Sequence, residues 1–175
     1  LGITLSVGAV DADHMLQSIT EHFGEKGTQS FRDWREMLAQ AGALPEPDKL
    51  RRVNEFFDQR IRFQTDQQVW KQVDYWATPL ESLGRGAGDC EDYVIAKYFS
   101  LIELGVDRSK LRWIYVVATL GTPGNKVTEP HMVLGYYATP GAEPLVLDNL
   151  NSTILPASRR PDLALSFRGG QRHDV

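Results

Sequence analysis

An α+β fold, with a helical first half packed on an antiparallel sheet, is predicted by three features of this 175-residue sequence. Apolar residues recur at helical spacing from Leu16 to Ile61. β-Branched and aromatic residues crowd the runs between Leu111 and Leu150, and a stretch rich in Gly and Pro separates the two halves. The length fits one domain, residues 1–175, large enough to bury a core. Within it the reading assigns helices to 12–63, a loop and a further helix to 64–105, a sheet to 111–150 and a C-terminal extension to 151–175.

Leu16, Ile19 and Phe23 follow a helical period. Phe31, Trp34 and Leu38 resume it until Gly42, and a third segment after Pro47 carries Leu50, Val53, Phe57 and Ile61 on one face. From Gln64 to Gly88 the period weakens, and Pro79, Gly84, Gly86 and Gly88 mark a loop with a short helical turn. Beyond it Val94, Tyr98, Leu101 and Ile102 share a helix face that Gly105 is placed to end, so Cys90 falls in the first turn. The runs "LRWIYVVATL", "HMVLGYYA" and "PLVLDNL" read as strands of an antiparallel meander, with His131 at the start of the second. The tail from Ser158 has little apolar content and reads as an irregular extension.

Composition removes several function classes. The 19 basic and 23 acidic side chains give a net charge of −4, without the broad basic surface that a nucleic-acid partner needs. No run approaches the roughly 20 apolar residues of a membrane span, so membrane insertion is not expected. A single cysteine excludes an internal disulfide and any multi-cysteine metal site.

That cysteine is the centre of the chemical reading. A thiolate at a helix N-terminus is favoured by unpaired N–H groups and the helix dipole, but a nucleophile also needs a base. His14, His22 and His173 lie in polar segments, which leaves His131. Asp148 ends the next apolar run, and a His early in one strand meets an Asp late in its antiparallel neighbour at the same end of a sheet. Each residue has a plainer reading: Cys90 as a small buried hydrophobe, His131 as a hydrogen-bonded strand end, Asp148 as a turn former. Their common order and element types favour a Cys-His-Asp triad. Asp89, Glu91 and Asp92 crowd the thiol with negative charge. They read either as helix caps and first-turn acids, or as oxygen ligands for a cation such as Ca²⁺.

"GDCEDYVIAKY", "HMVLGY" and "LVLDNL", with "YWATPLE" ahead of them, resemble the bacterial transglutaminase-like cysteine proteinases over most of the chain. The resemblance implies a papain/transglutaminase-like α+β fold, with Cys90 as nucleophile, His131 as general base and acid, and Asp148 as the orienting carboxylate. It also implies calcium dependence at the segment holding Asp89, Glu91 and Asp92, and a periplasmic location, so that this chain is a mature form without its leader. Its implied substrate is a large adhesin cut next to paired alanines, and its implied partner an inner-membrane cyclic-di-GMP receptor of the LapD type. For the oxyanion, the Cys90 N–H is one expected donor and the Trp76 indole N–H the second, although Tyr75 and Trp76 also read as core packing. The same triad would serve a transglutaminase-like acyl transferase. A non-catalytic binding module would need none of it.

Overall fold

The computed structural model describes residues 7–166; His173 and the end of the C-terminal extension lie outside them. Five helices and seven strands follow the chain: α1 (Val7–Ala41), α2 (Glu46–Arg60), β1 (Arg62–Phe63), α3 (Asp66–Val69), α4 (Pro79–Arg85), β2 (Ala87–Gly88), α5 (Cys90–Glu103), β3 (Leu111–Thr122), β4 (Asn125–Tyr136), β5 (Leu145–Leu147), β6 (Leu155–Pro156) and β7 (Leu163–Leu165). Strands β3 to β7 form one antiparallel sheet in the order β6-β5-β4-β3-β7. The helices and sheet share a core of Leu38, Leu50, Val53, Phe57, Leu83, Val94, Leu101, Met132, Leu134 and Leu147. The α+β class is therefore the one the sequence predicts.

α1 is two helical stretches joined at Gly24, whose φ of 66° is a backbone conformation that a side chain disfavours. This break separates the Leu16–Phe23 and Phe31–Leu38 periods. The second stretch docks on α5 through the Trp34 indole, which donates to Ser100 Oγ at 2.9 Å. α2 is fastened to the sheet by Glu46, which accepts from Lys110 Nζ at 2.8 Å and from the Tyr136 hydroxyl.

Three expectations are corrected. β4 starts at Asn125, six residues before His131, because residues 125–130 are exposed at every position and carry no alternating signal. His131 is instead the first buried residue of a long strand. The stretch from 64 to 88 holds two short helices and β2, which pairs in parallel with β1 at the end of the segment read as helical. Within its described residues the tail from Ser158 is not irregular: β7 extends one edge of the sheet, as β6 before it extends the other, and Thr119 N–H donates to Asp162 O at 2.8 Å. Strands of two or three residues are too short to leave a period in the sequence. Among the described residues no helix is long and apolar enough to cross a membrane.

Candidate active site

The segment that delivers Cys90 is held at both ends. Thr78 caps α4, with its Oγ1 accepting the Glu81 N–H at 3.3 Å while Glu81 Oε2 accepts the Thr78 N–H at 2.9 Å. Gly86, at φ 62°, closes the helix, and β2 then pairs with β1 in the register Arg62↔Ala87 and Phe63↔Gly88. A β-carbon on Gly88 would stand 2.6 Å from Asp92 Oδ2, so this turn into α5 requires glycine. Cys90 is the first residue of α5, as its sequence position suggests.

The Cys90 thiol donates to Glu91 Oε2 at 2.8 Å, and its sulfur accepts the backbone N–H of Met132. Burial pushes the thiol far above its ordinary range, and Glu91's hydrogen bond and charge push the same way; the Met132 N–H opposes them. Met132 follows His131, so the sulfur lies against the stretch of β4 that carries the imidazole. No hydrogen bond joins Cys90 to His131 among the described residues.

His131 and Asp148 do meet. His131 Nε2 is 2.7 Å from Asp148 Oδ1, with both side chains buried. Antiparallel pairing of Leu134 with Leu147 brings the residue after β5 beside the buried half of β4. Asp148 Oδ1 also accepts the Leu150 N–H at 3.1 Å, and its Oδ2 accepts from Arg160 Nη2 at 2.6 Å. Burial alone would raise the Asp148 pKa, but the His131 hydrogen bond and charge, together with Arg160, hold it below the usual carboxylate range.

Beside the thiol, Asp66, Asp89 and Asp92 bring one carboxylate oxygen each to within 4.8 Å of one another. Burial, then the charges of Glu91, Asp92 and Asp66, push Asp89 up to about 8; burial raises Asp92 to about 6 against the N–H groups of Ala77 and Asp89. Buried Oδ1 atoms of Asp66 and Asp89 have no hydrogen-bond partner. Hard oxygen donors, mutual repulsion and orphaned lone pairs fit a hard cation. Of the set expected from the sequence, Asp89 and Asp92 are in this cluster, whereas Glu91 is turned toward Cys90 and Asp66 from α3 takes a place in it. The helix-cap reading also has its counterpart, since Asp92 Oδ2 accepts the Asp89 N–H at 3.3 Å.

The model of the bacterial transglutaminase-like cysteine proteinases matches residues 33–162. The chain belongs to this family. Solved structures of Legionella pneumophila LapG agree with that membership. The EGTA-treated form has 36% identity and a TM-score of 0.74, covering 88% of this chain and 78% of that one. A second LapG structure has 36% identity and a TM-score of 0.72, covering 88% and 81%. The calcium-bound form has 34% identity and a TM-score of 0.71, covering 93% and 91%. No curated protein matches this chain.

In this family member the segment around Trp76 is tied to the acidic cluster. Asp66 Oδ2 accepts the Tyr75 N–H at 2.6 Å and Asp92 Oδ1 accepts the Ala77 N–H at 2.8 Å, on either side of Trp76. Trp76 itself is half-exposed and packs edge-on against Trp113 at 5.7 Å. Its indole N–H has no hydrogen-bond partner among the described residues, and the ring is not part of the core. Sequence reasoning missed Asp66 and Arg160. Asp66 is an ordinary first-turn acid 23 positions before Asp89, and Arg160 stands in a polar tail; neither position carries a local signal.

Proposed function

We propose that this chain is a calcium-dependent periplasmic cysteine endopeptidase that cuts the N-terminal region of a large cell-surface adhesin, near paired alanines, and so controls biofilm release. The observation that carries the reading is the buried His131–Asp148 pair, at 2.7 Å, on the strand whose next N–H holds the Cys90 sulfur. Cys90 attacks a peptide carbonyl as thiolate, its proton passing to His131. The imidazolium then gives that proton to the leaving amine, and water releases the acyl group by the reverse path. Asp148 keeps the ring oriented and balances its charge. The Cys90 N–H, at the start of α5, is one oxyanion donor; the Trp76 indole N–H is the second.

Asp66, Asp89 and Asp92, with Glu91 adjoining, would hold the calcium ion. Bound there, calcium supplies positive charge that offsets the carboxylates around the thiol. The calcium-bound and EGTA-treated LapG structures support this assignment by similarity. A LapD-type cyclic-di-GMP receptor in the inner membrane would sequester the enzyme.

The test is incubation with an adhesin N-terminal region containing paired alanines, with mass spectrometry of the products. Cleavage with a free new carboxylate, lost in EGTA and restored by calcium, is the expected result. An amide of added amine at the same site would establish the acyl-transferase alternative, and no reaction under any condition would favour a binding module.

A further inference from the structure

We infer that Arg160 is a positioning residue for the triad, holding Asp148 so that one oxygen faces His131. The inference rests on the triad reading above. Asp148 is buried with three partners of fixed role: Oδ1 serves His131 Nε2 at 2.7 Å and the Leu150 N–H at 3.1 Å, while Oδ2 takes the Arg160 guanidinium at 2.6 Å. Without that last contact the carboxylate is free to turn about its χ2 torsion, and a buried oxygen loses a charge-assisted bond.

Arg160 is itself fixed. Only 2% of its side chain is exposed, and Nε and Nη2 bind Asp162 at 2.9 and 2.7 Å. Its N–H binds Ala157 O, and the Leu163 N–H binds its own carbonyl, at the entry to β7. The guanidinium thus reaches Asp148 from a segment locked to the sheet and takes the oxygen that His131 does not. The other charged groups near Asp148 are Asp162, which binds Arg160, and Lys97 on α5 and Asp58 on α2, which pair with each other at 2.6 Å and so offset one another. Arg160 is left as the cation that acts on Asp148 directly, and it contributes to keeping that carboxylate ionised.

The experiment is the rate of Cys90 alkylation by iodoacetamide against pH, in calcium-containing buffer, which reads the assisted thiol without any substrate. Arg160→Met is expected to lower the rate at neutral pH by roughly 10- to 100-fold, the range that one charge-assisted hydrogen bond supplies, and to move the acid limb to higher pH. Arg160→Lys, with a cation but a single donor group, is expected to recover part of that loss. Asp162→Asn keeps an oxygen acceptor for the guanidinium and leaves its bond to Asp148 in place, so it is expected to cost less than Arg160→Met.

A wild-type profile in Arg160→Met overturns the role, and with a lowered Tm it makes Arg160 an anchor of β7 alone. Should Arg160→Met not fold, a partial loss in a folded Arg160→Lys supports the role, and an unshifted Arg160→Lys overturns it. A wild-type rate that rises only above about pH 8, like an unassisted thiol, would overturn the triad and the role of Arg160 together. A rate already raised at neutral pH but indifferent to Arg160 overturns the role alone.

Discussion

At Cys90 two sets of charges oppose each other. The start of α5 and the Met132 N–H favour a thiolate, while burial, Glu91 and Asp89 disfavour it. In the proposed mechanism His131 and Asp148 divide the remaining work unequally, since one would move a proton and the other would hold the ring. His131→Ala is therefore expected to abolish cleavage as fully as loss of the thiol. Asp148→Ala should be roughly one to two orders of magnitude milder in kcat, the ranking measured for the corresponding residues of subtilisin. Steady-state kinetics on one peptide measures both. Asp148's folded pKa lies below its ordinary value, so its stabilising contribution is complete at neutral pH and is lost as pH falls through the folded pKa. The nearness of Cys90, His131 and Asp148 was legible because residue type and strand order narrow each to one position. Asp66 and Arg160 were not, because both reach the site only through tertiary folding.

At the scale of elements, the start of α5, α3 and the Trp76 segment converge on the acidic cluster. Asp89 and Asp92 bind protons more tightly in the folded chain, at about 8 and about 6, than at their ordinary value of 3.8. Between about pH 4 and 8 the folded state thus holds the extra protons, and without a cation its stability falls as pH rises through that window. In EGTA the Tm is expected to decline from pH 5 to 8, and calcium should raise it most at pH 8. Asp89→Asn keeps a good N-cap residue and removes one charge. Differential scanning calorimetry in EGTA at pH 8 should give a higher Tm for that variant, by roughly 2–4 °C per kcal/mol of repulsion relieved, with no further rise on adding calcium. A calcium-dependent rise as large as in the wild type would remove Asp89 from the ligand set.

Across the whole molecule, α5 carries both Cys90 and one half of a buried ion pair. Lys97 is fully buried on it and pairs with Asp58 of α2 at 2.6 Å, while Tyr93 on the same helix donates to Ile61 O. Lys97→Ala leaves a buried carboxylate unpaired and is expected to cost about 3 kcal/mol or more by urea denaturation. The paired change to Lys97→Met with Asp58→Leu should cost much less than Lys97→Ala alone. α1, α2, α5, β3 and the buried half of β4 were readable from residue pattern, because each presents a run of core-facing residues. The short strands β1, β2, β6 and β7 were not, since backbone pairing rather than side-chain pattern defines them. Whether the one thiol of this chain performs the proposed reaction is read from the cleavage rate of Cys90→Ser with calcium present. A serine hydroxyl has a far higher pKa than a thiol, so the account predicts a folded protein with wild-type Tm and no detectable cleavage; undiminished cleavage by that variant would contradict it.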